Sequence, residues 1–164
     1  MNVSFRRVTN EHVQKFLAWR YPPPYDVYNL DAEPSSAEIA YSLDPQYQYH
    51  VMLDDAGAVL AFCSFGADGR VPGGDYSDDA LDIGMGLRPD LTGQGRGIDY
   101  VQRVIGFALD MYAPNALRVT IAAFNQRAQT VWKKAGFVEV SRFGRARDQM
   151  PFIIYVRRVH PRKS

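Results

Sequence analysis

Cysteine is almost missing from this chain of 164 residues. Cys63 stands alone, so no internal disulfide can form, and a chain without disulfides is expected in a reducing, cytoplasmic setting. Cys63 sits in the apolar run VLAFCSF, which suits a buried packing residue; a reactive thiol is the alternative. Long hydrophobic runs are also missing: nothing approaches the roughly 18 apolar residues of a membrane span, and MNVSFRRVTNEH lacks the apolar core of a signal peptide. Neither sign of charge dominates, since 19 Lys and Arg against 18 Asp and Glu leave +1. No global field therefore recruits nucleic acid or an anionic membrane. The basic end RRVHPRKS is expected to fray. His12, His50 and His160 are scattered without metal-ligand spacing, so no metal is expected. There is no internal repeat, low-complexity tract or linker. Length then implies one domain over residues 1–164, able to bury roughly 70% of its unfolded surface.

What is present is strong periodic patterning. VSFRRV reads as a strand, and Thr9 can cap a helix over NEHVQKFLAW with Val13, Phe16 and Leu17 on one face. YPPPY breaks that helix. A second begins in PSSAEIAYSL, where Ser35 and Glu38 form a capping box. YQYHVML and AVLAFCSF are strands joined by the turn DDAG. A polar loop, GADGRVPGGDYSDD, leads to strand ALDIGMGL and a helix from about Gly95 to Tyr112. LRVTIAAF is a strand, and NQRAQTVWKKAG a helix stopped by Gly136. FVEVSRF and PFIIYVRRV are the last strands. Early hairpins and one strand–helix–strand crossover predict an α/β (α+β layered) domain with a mixed sheet and helices on both faces.

The densest signal is TGQGRG, with Gly93, Gly95 and Gly97 at alternate positions between a strand and a helix. The ATPase loop pattern is absent. The dinucleotide fingerprint fails as well, because Ile98 or Tyr100 stands at its last glycine. The remaining pattern is a short turn that aims successive backbone N–H groups at a pyrophosphate. The N-terminus of the following helix offers unpaired donors and partial positive charge, worth about 0.3–1 kcal/mol to an anion. A glycine-rich turn without a ligand is the alternative. Upstream, Gly84 and Gly86 in DIGMGL mark a strand that another backbone can approach. An amide-bearing arm lying there in the manner of strand addition suits pantetheine. Together, opened strand and phosphate turn read as a coenzyme A site with the thioester near residues 84 to 87.

These residues resemble a known family. LRPDLTGQGRG is similar to the acetyl-CoA signature of the GNAT N-acetyltransferase superfamily, [RQ]-G-x-G-x-[GA] after a strand. Gly93, Gln94, Gly95, Arg96 and Gly97 fit, and Thr92 stands where Arg or Gln is usual. NQRAQTVWKKAGF resembles the family's N-x-x-A-x-x-[LV]-Y-x-K-x-G-F through Asn125, Ala128, Val131, Lys134, Gly136 and Phe137. The resemblance implies a mixed, mostly antiparallel sheet of about seven strands flanked by about four helices. It also implies a splay between the strands around 81–87 and 117–122, acetyl-CoA as co-substrate, and acyl transfer to an amine. Met85, Gly86, Leu87, the turn from Thr92 to Gly97, Asn125, Trp132 and Lys134 would hold the coenzyme. Asn125 would hydrogen-bond pantetheine or cap a helix, or do both. Trp132 replaces the family's tyrosine, often the general acid toward the departing thiolate. Indole is no acid, so Trp132 is expected to pack beside the coenzyme. Such families often form homodimers, although no residue here specifies one.

The mechanism expected on this resemblance is direct attack by an amine held beside the thioester. Backbone N–H of Gly86 or Leu87 would support the oxyanion, and Asp82 is the candidate general base. An ordinary polar strand residue is the alternative for Asp82. The acceptor wall is expected from Trp19, Tyr21, Tyr25 and Tyr28 in the proline-stiffened WRYPPPYDVYNL. Asp68, Asp75, Asp78 and Asp79 would draw a cationic amine, of a small molecule, a protein N-terminus or a lysine. Two other readings stay open: a sensor that binds acyl-CoA without turnover, and a transferase for a longer acyl group.

Overall fold

The computed structural model describes residues 1–30 and 33–160; the last four residues of the basic tail lie outside the described residues. In chain order the elements are β1 (Ser4–Arg7), α1 (Asn10–Leu17), α2 (Ser36–Leu43), β2 (His50–Leu53), β3 (Val59–Phe65), β4 (Leu81–Leu87), α3 (Gly97–Tyr112), β5 (Ala116–Ala122), α4 (Gln126–Lys134), β6 (Val138–Gly144) and β7 (Pro151–Arg158). The seven strands form a mixed sheet in the order β1-β2-β3-β4-β5-β7-β6. The ladders β1/β2, β2/β3, β5/β7 and β6/β7 are antiparallel, and β4/β5 is parallel. A mixed, mostly antiparallel sheet with four helices is the architecture expected from the sequence.

Contacts divide the chain into two compact units. One comprises Met1–Ser64 and Met85–Arg96, the other Phe65–Gly84 and Gly97–Ser164. In the first, both helices start where the sequence places them. The Thr9 hydroxyl accepts from the N–H of His12, and His12 Nδ1 returns the bond to the N–H of Thr9. Ser35 and Glu38 make the same reciprocal pair at α2. Val13, Phe16 and Leu17 of α1 pack with Val51 and Val59 of the strands, flanked by Trp19, Tyr49 and Phe62. Phe16 and Phe62 stack with centroids 4.5 Å apart. In the second unit, Val101, Val104, Ile105 and Ala108 of α3 are buried, as are Leu117, Val119 and Ile121 of β5 and Ile153, Ile154 and Tyr155 of β7.

Several boundaries differ from the sequence pattern by one to three residues, and two of the shifts have a visible cause. The second strand starts at His50, because Asp44 caps a short turn of 3-10 helix at Pro45–Tyr47 and Gln48 then takes φ 49°. The third helix starts at Gly97 rather than Gly95, because Gly95 has φ 73°, outside any right-handed helix.

Candidate active site

Strand β4 meets two neighbours unequally. Its parallel ladder with β5 pairs only Leu81 with Leu117 and Asp82 with Arg118, the first two of its seven residues. By contrast β5 pairs with β7 along seven residues, from Ala116 to Ala122. Toward β3, the Asp82 carbonyl accepts from Gly66 N–H at 2.9 Å, and Arg88 N–H donates to the Leu60 carbonyl at 2.9 Å. Successive strand residues direct their backbone groups to alternate edges. Between these anchors, regular alternation turns Gly84 and Gly86 toward β3 and turns Met85 and Leu87 the other way. That corrects one expectation. Leu87 can offer its N–H on the side away from β3, but Gly86 cannot, since its polar groups face the neighbouring strand.

Gly86 also has a packing reason. The Phe62 ring occupies the space a side chain would take, and a Cβ there would overlap its edge. The glycine that the sequence suggests as an opening for ligand is filled on that face by the aromatic cluster.

After β4 the chain turns through a short 3-10 segment, Pro89–Leu91. Arg88 forks onto Asp90, at 2.6 and 3.1 Å, and the Thr92 hydroxyl donates to the Pro89 carbonyl at 2.6 Å. The Gln94 amide folds back onto the Asp90 carbonyl. The side chains of Thr92 and Gln94 are thus used in holding the turn, which leaves recognition to its backbone. Gly93 and Gly95 take φ 71° and 73°, the left-handed region that glycine enters at no steric cost. No heavy atom lies within 4 Å of a Cβ built on Gly95. Gly93 through Arg96 are exposed. Gly97, by contrast, is small because α4 approaches it: a Cβ there would sit 3.2 Å from Val131 Cγ2. The chain enters the 16-residue α3 directly from this turn.

Asp82 is not placed as a base. It is 1% exposed, and both of its oxygens are taken by guanidinium. Arg118 donates from Nε at 2.7 Å and from Nη2 at 2.7 Å, and Arg70 Nε donates at 2.9 Å. The carboxylate holds the Arg118 guanidinium more firmly protonated than usual. Three charge-assisted bonds and 1% exposure keep the carboxylate on its two guanidinium partners and away from a substrate. Its work is to lock β4 to β5 and to tether the 66–80 loop, where Tyr76 lies under Arg118 at 4.9 Å and its hydroxyl meets Thr120 Oγ1 at 2.9 Å. The sequence carried a signal for this pair: Arg118 and Asp82 are lone opposite charges in two otherwise apolar strands.

Asn125 caps α4, with its Oδ1 accepting from Ala128 N–H at 3.1 Å. Trp132 is 7% exposed, and its ring lies edge-on to Phe137 at 5.0 Å; this core packing accounts for the indole without a coenzyme. Lys134 is exposed in the last turn of α4. Of the expected acceptor wall, Trp19 belongs to the aromatic cluster, 5.9 Å from Phe62. Tyr25 and Tyr28 bound a short 3-10 turn, the former half-buried and the latter exposed. Tyr21 is the one shown reaching β4: its hydroxyl donates to the Leu87 carbonyl at 2.7 Å. The acidic loop is not a clean attractor. Asp75, Asp78 and Asp79 border a hollow of about 810 Å³ in the second unit whose rim also carries Arg118, Arg157 and Arg158. Among the described residues, no group of three or more His, Cys, Asp or Glu is arranged to hold a metal ion. Among them also, no helix is long and apolar enough to cross a membrane.

Comparison with known proteins matches this arrangement to one family. The model of the acetyltransferase (GNAT) domain matches residues 2–138. The chain therefore belongs to the GNAT acetyltransferase family, a family of transferases. Among curated proteins, none matches in sequence. Solved structures share the fold at low identity. The aminoglycoside acetyltransferase AAC(6')-Ib, solved with paromomycin and acetyl-CoA, has a TM-score of 0.75 at 17% identity and covers 96% of this chain and 94% of its own. The same enzyme with coenzyme A has a TM-score of 0.73 at 18% identity, covering 96% and 95%. A chimera of the spermidine N-acetyltransferase SpeG from Vibrio cholerae and hSSAT has a TM-score of 0.72 at 13% identity, covering 95% of each chain.

Proposed function

We propose that the protein transfers an acetyl group from acetyl-CoA to a primary amine. The observation that carries this reading is the turn at 92–96. Two left-handed glycines and self-satisfied side chains present its backbone to solvent immediately before a 16-residue helix. Such a turn suits a diphosphate, and the family supplies the cofactor that fits. The coenzyme would be held by backbone N–H groups of Gly93, Gln94, Gly95, Arg96 and Gly97, and by the Met85 and Leu87 edge of β4, with Asn125 and Lys134 as further contacts; the Thr92 N–H is already bonded to the Pro89 carbonyl at 3.2 Å.

In the reaction, the amine lone pair attacks the thioester carbon and the C–O bond takes up negative charge. The Leu87 N–H, directed away from β3, is the donor proposed for that oxygen. Collapse breaks the C–S bond and releases the thiolate, whose ordinary pKa is about 8.5. It leaves without help from Trp132. With Asp82 occupied by two arginines, proton removal from the amine falls to water, and this favours acceptors already partly neutral. An α-amine at about 7.7–8 meets that condition and a lysine at about 10.4 does not.

The test is thiol release from acetyl-CoA in the presence of α-amino compounds, lysine peptides, polyamines and aminoglycosides. Turnover is expected with at least one class, fastest with the least basic amines at neutral pH. Saturable binding of acetyl-CoA with no thiol released on any acceptor would overturn the transferase reading in favour of a sensor. Preference for a longer acyl thioester would replace acetyl by that group. A homodimer and a cytoplasmic location belong to the same reading.

A further inference from the structure

We propose that the Tyr21 hydroxyl holds an acceptor that the pantetheine arm would use, the Leu87 carbonyl, so that cofactor loading releases the 20–29 loop and prepares the acceptor side. The inference rests on the acetyl-CoA reading above and adds an order of events to it.

The Leu87–Arg88 peptide is trans, since the one cis bond among the described residues is Pro23–Pro24. In a trans peptide N–H and C=O point to opposite sides. The N–H goes to the Leu60 carbonyl of β3 at 2.9 Å. The Leu87 carbonyl therefore faces away from β3, along the stretch of β4 beyond its two-residue ladder with β5. An extended amide-bearing ligand adding to this edge would use the Leu87 carbonyl as an acceptor for one of its own N–H groups. That acceptor is engaged: the Tyr21 hydroxyl donates to it at 2.7 Å.

Tyr21 is aimed there by its own backbone. Its N–H donates to Asn29 Oδ1 at 2.7 Å, and its carbonyl accepts from Asn29 Nδ2 at 3.2 Å. This two-point clamp fixes the residue as a strand partner would, and couples the phenol's position to the loop up to Asn29. A ligand shifts such an equilibrium only by its differential affinity for the two states. Here the difference is explicit: the pantetheine amide and the phenol compete for one carbonyl. The nucleotide half of the cofactor carries none of the pantetheine amides, so it would not contend for this carbonyl.

The test is calorimetric titration of the full chain with CoA and, separately, with 3′-phospho-ADP, which lacks pantetheine. In Tyr21→Phe, the ring stays and the competing donor goes. CoA affinity is expected to rise about two- to tenfold, the worth of one neutral hydrogen bond, and 3′-phospho-ADP affinity to stay at the wild-type value. Should that variant fail to fold, as judged by circular dichroism, Asn29→Ala removes the clamp and carries the same expectation. Unchanged or weaker CoA binding overturns the proposal, and so does an equal gain for both ligands. Wild-type protein that binds neither ligand overturns the cofactor reading itself, a result distinct from failure of the gate.

Discussion

Asp82 shows how a single side chain is misjudged when only its own strand is in view. In sequence it is a lone carboxylate on the signature strand; in the fold it is a buried structural ion held by Arg118 and Arg70. Breaking such a pair by removing one partner leaves an uncompensated charge, at a cost of about 3–5 kcal/mol. Arg118→Met is expected to lower stability by that amount in urea unfolding, and to cost more than the simultaneous replacement of Asp82 and Arg118 by apolar residues. A double replacement that costs the sum of the two single ones would show that the charges act independently. His50 gives a pH dependence. Burial holds its pKa below the usual 6.5, so the folded state resists the proton that the unfolded state accepts. Stability from this group is full above about pH 6.5 and is lost as pH falls below it toward the folded value. His50→Gln is expected to flatten that part of the stability–pH curve. Cys63, 1% exposed with its thiol pKa pushed up by burial, is expected to be inert to thiol reagents until the protein unfolds. A thiol assay for released CoA would then have no background from the native protein.

At the scale of elements, the helix starts were legible because they are local. Thr9 and Ser35 cap through bonds spanning three residues, and no distant contact is needed to form them. The short 3-10 turns at Pro45–Tyr47 and Pro89–Leu91 were not, because three residues carry no periodicity. Gly95 and Gly97 looked alike in sequence yet differ in cause. One has a left-handed backbone, and the other yields to Val131. The distinction is testable. Gly95→Ala adds a methyl into open space but at φ 73°, costing about 1–2 kcal/mol without a clash. Gly97→Val would press on α4 and is expected to lower the unfolding midpoint further. If the two variants unfold alike, the separate causes are wrong. Gly86→Ala is expected to disturb the Phe62 cluster and to be read most directly in near-ultraviolet circular dichroism.

For the whole molecule, the sequence conveyed the list of strands and the family, but not which strand edge is engaged at each point. The pairing of Asp82 with Arg118 joins residues 36 apart, and the bond from Tyr21 to Leu87 spans 66. Neither leaves a local pattern, although lone charges in two apolar strands hinted at the first. The glycine turn was legible because its conformation is a demand on the backbone, and backbone demands appear directly as glycine. An acceptor wall leaves no such local mark, because side chains from separate segments must converge to make one. Of the four expected aromatics, Tyr21 reaches β4 through its hydroxyl. The claim on which the function rests is that the backbone from Gly93 to Gly97 grips a diphosphate. Calorimetry of the folded protein with CoA measures it most directly. The expected result is saturable binding, weakened at least about tenfold in Gly95→Ala, whose methyl would sit where the phosphate approaches. Absence of heat at millimolar CoA, or equal affinity in the two proteins, would contradict it.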